Sequence, residues 1–207
     1  MDASAGPGGP SPGPRLLPMA DQPAPERADA QRNRRALLEA AAELIDRCSV
    51  ENVTMDAVAQ RAGVGKGTVF RRFGSREGLM AALLDHSERE WQHAVMAGPP
   101  PLGPGAAPCA RLHAFGESRL RLNLRHSALI RAAGHTGSRS VPAASFAQLH
   151  VRHLLTALEV PGDVAYLAVA LLAPLEGPIV QQQLREGVPI ERLEAGWHDL
   201  VDRLVRA

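Results

Sequence analysis

Residues 54–79 have the sequence TMDAVAQRAGVGKGTVFRRFGSREGL, and this stretch decides how the rest of the chain is interpreted. Thr54 stands where the N-cap of a short helix belongs, because its hydroxyl can accept a hydrogen bond from the first turn. Gly63 can take the left-handed conformation that ends such a helix. The stretch therefore predicts a short helix, a glycine turn and a second short helix from Lys66 to Phe73, which is the helix-turn-helix pattern.

The small and apolar residues of this stretch fit the packing that two crossing helices need. Ala59 is small enough for the helices to approach, and Val64 is predicted to fill their junction. Val69 and Phe73, four residues apart, are predicted to bury the inner face of the second helix. The remaining side chains then lie on its outer side or edges: Lys66, Thr68, Phe70, Arg71 and Arg72.

Charge is distributed unevenly in a chain that is nearly neutral as a whole. The 207 residues include 23 Lys and Arg against 22 Asp and Glu, a formal net charge of +1, so bulk charge favours neither nucleic acid nor membrane as a partner. Four basic residues and no acidic residue nevertheless lie between Gly63 and Arg76: Lys66, Arg71, Arg72 and Arg76. This local excess predicts an anionic partner at the second helix.

A helix with this outer face suits the major groove of DNA, which is wide enough to admit it. Lys66 and Arg71 or Arg72 can reach guanine edges or phosphate oxygens, and Thr68 can bond to a base edge or a phosphate. Gly67 costs roughly 1 kcal/mol of helix propensity, but its missing side chain lets the backbone come close to the duplex.

Composition divides the chain into an N-terminal arm and two helical regions. Residues 1–27 hold seven prolines and four glycines, which predicts a disordered arm. Residues 28–92 carry helix one, the helix-turn-helix and a longer fourth helix, which Ser75 caps and Glu77 stabilises in its first turn. Residues 93–207 are predicted to form a second domain, and a Pro- and Gly-rich loop at 98–108 lies near its start.

The second domain is also expected to be helical, which makes the chain all-α. A helix is predicted over 110–134, another carries an apolar stripe over 151–158, and the last begins near Pro189. Residues 163–186 form an apolar segment that is expected to be one helix, bent where Pro174 and Pro178 interrupt its hydrogen bonds.

The run AGVGKGTVFRRFGSRE resembles the pattern AGVS-x-GTLY-x-F-x-SKE of the TetR family of bacterial helix-turn-helix transcriptional regulators. The resemblance covers about 26 residues, from Thr54 to Leu79. It implies an N-terminal three-helix DNA-binding domain and a C-terminal domain that binds a small-molecule effector. It also implies a homodimeric repressor, paired through residues 163–186 and 189–206, that leaves a roughly palindromic double-stranded operator when the effector binds.

By position, the resemblance assigns DNA contacts to nine residues. Thr54 and Arg76 match phosphate contacts at the starts of the second and fourth helices. Gly65 stands where the family usually has a capping Ser, and Phe70 where it usually has Tyr. The recognition-helix contacts are matched by Lys66, Gly67, Thr68, Phe70, Arg71 and Arg72. Further minor-groove or backbone contacts could come from Arg27, Arg32, Arg34 and Arg35.

The effector site is predicted only loosely. A pocket could be lined by Phe115, Arg119, Leu122 and Tyr166, and Glu176 could face either the pocket or the dimer axis, although core packing or solvent exposure explains these residues equally well. Because aromatic residues make up only 3% of the chain, an aliphatic or mixed-polarity effector is favoured.

Other functions find less support in the sequence. Cys109 with His113, and His150 with His153, could each supply two metal ligands, but no further ligand stands at fixed spacing, so no metal and no cofactor is predicted. No nucleophile elbow, phosphate loop or carboxylate pair with a partnered histidine supports catalysis. The sequence predicts a cytoplasmic regulator with no membrane partner, and an activator or effector-independent regulator is the main alternative.

Overall fold

The computed structural model describes residues 25–133 and 141–206, which form nine α-helices and two 3-10 turns and contain no strand. One 3-10 turn, Val50–Asn52, precedes α2, and the other, Ala173–Leu175, follows α7. The helices are α1 Pro25–Cys48, α2 Met55–Arg61, α3 Lys66–Phe73, α4 Arg76–Ala97, α5 Pro108–Ala132, α6 Val141–Ala157, α7 Val164–Leu172, α8 Gly177–Arg185 and α9 Ile190–Val205.

Most predicted helices are confirmed, and α3 has the predicted ends. The loop between α4 and α5 lies where the Pro- and Gly-rich segment predicted it. The predicted disordered arm is mostly residues 1–24, which lie outside the described residues. Residues 25–27 were assigned to that arm, but α1 already begins at Pro25, because proline is favourable in the first turn of a helix.

The apolar segment over 163–186 is not one bent helix, as the sequence predicted, but two helices. α7 ends at Leu172, and α8 begins at Gly177 after an extended residue, Glu176. Two prolines four residues apart remove two successive backbone donors, so the helix breaks instead of bending. The side-chain amide of buried Asn123 of α5 donates a hydrogen bond to the carbonyl oxygen of Leu175 in this turn.

Two hydrophobic clusters form the core, and two helices contribute to both. The N-terminal core is built mainly from α1 to α3, together with the first half of α4 and the end of α5, where Leu129 is buried. The C-terminal core contains Trp91 of α4, the first half of α5 and helices α6 to α9. The predicted domain boundary at residue 92 therefore falls inside a helix that both cores share.

Among the described residues, one helical stretch, Val164–Arg185, is long and apolar enough to cross a membrane. Its mean hydropathy is 1.5. It comprises α7, the 3-10 turn and α8 rather than a continuous helix.

Candidate nucleic-acid interface

The turn between α2 and α3 has the geometry that its sequence predicted. The hydroxyl of Thr54 accepts a hydrogen bond from the backbone N–H of Ala57 at 3.1 Å, which confirms the N-cap. Gly63 has a φ of +67°, the left-handed conformation that ends α2. Ala59 and Val69 are buried, so the inner faces of both helices pack as expected.

The prediction for Val64 is wrong. Its side chain is 37% exposed, and only its backbone N–H closes the junction, by donating to the carbonyl oxygen of Ala59 at 3.0 Å. Half-buried Ala62, the residue before the glycine turn, packs against the N-terminal core instead.

The outer face of α3 is open and basic. Thr68 is half-buried at its edge, and the ring of Phe70 is 40% exposed. Arg71 and Arg72 are exposed, and neither is paired with any acidic side chain among the described residues. Because these guanidinium groups have no protein partner to give up, they can bind an anion at little cost.

The two glycines at the start of α3 face empty space. A Cβ atom built on Gly65 or Gly67 would meet no other atom within 4 Å. Packing inside the domain therefore does not require a glycine at either position. Alanine would favour the helix more than Gly67 does, and close approach of DNA to the backbone at Gly67 stays a prediction.

Lys66 is held by contacts that a partner can replace. Its Nζ lies 2.8 Å from Oδ2 of Asp56 on α2, and 5.6 Å from the centre of the Phe70 ring. Both charged side chains are about 60% exposed, and such an ion pair contributes only about 0.2–1 kcal/mol. A phosphate can therefore compete for the ammonium group.

Arg76 lies at the start of α4, as predicted, and its side chain also makes contacts inside the domain. Its Nη2 donates to the carbonyl oxygen of Val50 at 2.6 Å, and its Nε donates to that of Val53 at 2.9 Å. The side chain thus joins the start of α4 to the 3-10 turn before α2. Its Nε and Nη2 are thus engaged inside the domain, and the phosphate contact predicted for Arg76 stays a prediction.

The start of α4 is capped as predicted. The hydroxyl of Ser75 accepts a hydrogen bond from the backbone N–H of Gly78 at 3.1 Å. The pKa of Glu77 lies below its usual value, because its carboxylate accepts a hydrogen bond from its own backbone N–H and a second from Ser75. Gly78 itself leaves no room for a side chain, since a Cβ atom would lie 2.1 Å from the carbonyl oxygen of Phe73.

The arginines of α1 are partly engaged. Arg32 pairs with Asp29, and Arg35 pairs with Glu39 at 2.7 Å. The guanidinium of Arg34 lies 5.4 Å from the centre of the Phe73 ring and helps to cover the inner face of α3. Minor-groove contacts by these arginines stay a prediction.

The residues predicted to line an effector pocket do not come together. Phe115, Arg119 and Leu122 are buried in the C-terminal core, whereas Tyr166 is 71% exposed on α7. Glu176 is half-buried at the start of α8. Tyr166 therefore lies at the surface, whereas Phe115, Arg119 and Leu122 lie in the core.

Arg119 is a core residue. Its Nη1 donates to both carboxylate oxygens of Glu88, at 3.0 and 2.8 Å, and its guanidinium carbon lies 4.6 Å from the centre of the Trp91 ring. Burial lowers the pKa of Arg119, and the charge of Glu88 partly opposes that change. The contacts indicate a buried ion pair between α4 and α5, and a ligand would have to compete with it.

A separate cavity of about 350 Å³ lies between α5, α8 and α9. This volume is within the range of small-molecule pockets, which is about 300–1,000 Å³. Pro174 and Leu175, from the break between α7 and α8, form part of its wall. The other walls include Leu120, Leu193, Gly196 and Trp197. None of the five predicted residues lines this cavity, and no sequence pattern marked it.

Comparisons with known proteins agree with this arrangement. Residues 37–83 match the family model of bacterial regulatory proteins of the TetR family. Over most of its length the structure is similar to a TetR transcriptional regulator from Rhodococcus sp. RHA1, with 26% identity and a TM-score of 0.50; the match covers 84% of this chain and 97% of that one. Residues 37–83 therefore form a domain of the TetR family, and the fold of the chain is similar to that of TetR-family regulators.

The TetR-family likeness in sequence is concentrated in the helix-turn-helix. An HTH-type transcriptional regulator of Staphylococcus aureus strain USA300 is 40% identical over 53 residues, which are 26% of this chain and 29% of that protein. The chain thus matches less than a third of the length of such curated relatives. A TetR-family regulator from Mesorhizobium loti shares the fold, with a TM-score of 0.58, 15% identity and coverage of 86% of this chain and 96% of that one.

Proposed function

We propose that this chain is a DNA-binding transcriptional regulator in which α3 enters the major groove of an operator. One observation carries the proposal: α3 buries Val69 completely against its own domain and leaves Arg71 and Arg72 exposed with no acidic partner among the described residues. A helix N-terminus with two glycines that face empty space lets the backbone approach a phosphate or a base edge.

Operator binding tests this proposal. Changing Arg71 or Arg72 to Ala is expected to weaken binding by about 1–3 kcal/mol if the arginine reads a base, or to lower the salt dependence by about one counterion if it neutralises a phosphate. Arg152→Ala, at an exposed position on α6, is the matched control for removal of a surface charge. Titration of the operator at several salt concentrations measures both effects, and unchanged affinity in both α3 variants would refute the recognition-helix assignment.

The second part of the proposal is that the regulator is a homodimer paired through residues 163–186 and 189–206. Large apolar side chains that stay exposed in these segments support it: Tyr166 (71%), Val169 (48%), Ile179 (44%) and Leu200 (39%). Val169→Glu is expected to yield a monomer in analytical ultracentrifugation and to weaken operator binding by at least about tenfold, because a monomer cannot engage the second half-site. Met96→Glu, also at an exposed apolar position, should stay dimeric.

The third part is release of the operator by a small effector in the cavity between α5, α8 and α9. The effector would favour a dimer whose two α3 helices no longer match grooves about 34 Å apart. Gly196 lines the cavity and has free space around its Cβ position, so Gly196→Trp should fill it and abolish release by cell metabolite extracts. Gly196→Ala should keep the response. If extracts never release the wild-type protein, an effector-independent regulator is the better description.

A further inference from the structure

Two pairs of side chains with metal-ligand chemistry face each other where α5 and α9 cross. Cys109 and His113 lie one turn apart on α5, and His198 and Asp202 lie one turn apart on α9. The sequence showed only the first pair, because 85 residues separate His113 from His198. The fold therefore supplies the third ligand that the spacing along the chain did not reveal.

Three of these residues bring ligand atoms together. A ring nitrogen of His113, Sγ of Cys109 and a carboxylate oxygen of Asp202 all lie within 4.8 Å of one another. Zinc bonds of about 2.0–2.3 Å in a tetrahedron place the ligand atoms about 3.3–3.8 Å apart. Small side-chain rotations would bring the three atoms to these distances, since all three residues are half-buried and not locked in the core.

The hydrogen bonds around His113 lack one proton. Four groups form a chain with three contacts: Oε1 of Glu117 to Nε2 of His198 at 2.6 Å, Nδ1 of His198 to Nδ1 of His113 at 2.9 Å, and Nε2 of His113 to Oδ1 of Asp202 at 3.0 Å. Two neutral imidazoles carry only two protons between them. When both imidazoles are neutral, two of the three contacts can therefore be hydrogen bonds and the third cannot.

The contact without a proton is the one beside the thiol. Nε2 of His113 is buried and has no hydrogen-bond partner, because Oδ1 of Asp202 lies off the direction of the ring N–H. The other carboxylate oxygen of Asp202 accepts a hydrogen bond from Arg206 at 3.4 Å. Nε2 of His113, a carboxylate oxygen of Asp202 and Sγ of Cys109 thus lie next to one another without a hydrogen bond between Nε2 and the carboxylate.

We propose that Cys109, His113 and Asp202 bind a divalent transition metal ion of the zinc class. One thiolate, one imidazole and one carboxylate form a donor set that suits zinc, and a fourth position stays open to water or another ligand. His198 is a positioning residue: it accepts the Nδ1–H of His113 and donates its own Nε2–H to Glu117. This arrangement fixes the tautomer in which Nε2 of His113 can bind the ion.

Metal binding would fasten the end of α9 to the start of α5. This end of α5 is remote from the part that packs in the N-terminal core, so the site is separate from the DNA contacts of α3. The metal proposal and the DNA-binding proposal can therefore fail independently, and each has its own measurement.

Cobalt titration of the full-length, EDTA-treated protein tests the site. The wild-type protein should bind about one Co²⁺ per chain and show thiolate-to-cobalt charge-transfer absorption with the d–d intensity of a tetrahedral site. Cys109→Ser should lose the charge-transfer absorption, whereas Cys48→Ser, which changes the other free cysteine, should keep it. Asp202→Asn should weaken Zn²⁺ binding in competition titrations by at least tenfold.

Two further results keep the test decisive. If Cys109→Ser does not fold, Zn²⁺ should still slow alkylation of Cys109 in the Cys48→Ser protein by at least tenfold. No thiolate absorption and no protection would overturn the proposal, as would absorption that depends on Cys48.

Discussion

At the scale of single residues, Gly116 decides how closely α5 packs against α9. A Cβ atom at this position would lie 1.9 Å from Cε2 of Trp197, which is buried and donates its indole N–H to the carbonyl oxygen of Leu112 at 3.2 Å. Gly116→Ala should lower the free energy of unfolding by roughly 1–3 kcal/mol, because the large ring has to shift. Gly196→Ala, in open space on α9, should raise it by about 0.5–1 kcal/mol. Urea unfolding measures both, and equal effects would contradict the close approach.

His150 gives the protein a stability that depends on pH. Its ring is 7% exposed and stacks near Phe115 and Phe146, with centres 5.2 and 6.1 Å away. Burial first, and then the charges of Arg111 and His153, lower the pKa of His150 from 6.5 to about 4. Because the unfolded chain takes up this proton at higher pH than the folded chain, its contribution is present above about pH 6.5 and is lost as the pH falls towards 4.

Between pH 7 and pH 5, protonation of His150 in the unfolded chain should lower the free energy of unfolding by about 2 kcal/mol. His150→Phe should remove this part of the pH dependence. His153→Gln changes an exposed histidine on the same helix and should retain most of it, because burial is the largest cause of the lowered pKa of His150. Urea titrations at the two pH values provide the measurement, and an unchanged pH dependence in His150→Phe would assign the effect to other groups.

The sequence predicted the role of a residue well when that role depends on neighbours within a few positions along the chain. The caps at Thr54 and Ser75 and the left-handed Gly63 follow from hydrogen bonds and dihedral angles within a few residues, and the structure confirms them. Gly116 carries no such signal, because its reason is a tryptophan 81 positions later. A similarly long separation along the chain concealed the proximity of Asp202 to Cys109 and His113 of α5.

At the scale of elements, α3 has a buried inner face, but Gly67 on its outer face lowers its helix propensity. Gly67→Ala should raise the free energy of unfolding by about 0.5–1 kcal/mol, because alanine favours the helix and meets no atom within 4 Å. The same variant should weaken operator binding, since the added methyl group faces the proposed groove. Thermal unfolding and operator titration on one preparation measure both changes. Higher stability with unchanged affinity would mean that the backbone at Gly67 does not approach the DNA.

The break between α7 and α8 shows the limit of prediction from helical patterns. The prolines signalled an interruption, and the sequence interpretation chose a bend, whereas the structure has a 3-10 turn and an extended residue. The choice between bend and break depends on whether another element satisfies the freed carbonyl groups. Asn123 of α5 binds one carbonyl of the turn, that of Leu175, and the break then supplies Pro174 and Leu175 to the wall of the cavity. A pattern within residues 163–186 contains neither partner.

At the scale of the whole molecule, α4 and α5 connect the two cores. Leu79 and Leu83 of α4 are buried in the N-terminal core, and Trp91 and Val95 of the same helix are buried in the C-terminal core. The buried ion pair between Glu88 and Arg119 joins α4 to α5 between these two sets. Any change that the proposed effector causes in the C-terminal core therefore has two continuous helices through which to reach α3.

This shared architecture predicts that the two cores unfold together. Both tryptophans, Trp91 and Trp197, lie in the C-terminal core, so their fluorescence reports on that core, whereas circular dichroism reports on all helices. Leu37→Ala removes a buried side chain of α1 in the N-terminal core and should cost roughly 2–4 kcal/mol. If the cores unfold as one unit, the tryptophan transition should move to lower urea by the same amount as the circular dichroism transition, although neither tryptophan belongs to the altered core. The contradicting outcome is a fluorescence midpoint that does not move while the circular dichroism curve shows two steps. It would mean that α4 and α5 can unfold at the N-terminal core while they stay folded at the C-terminal core. The coupling between the cores would then be too weak to transmit the proposed effector signal.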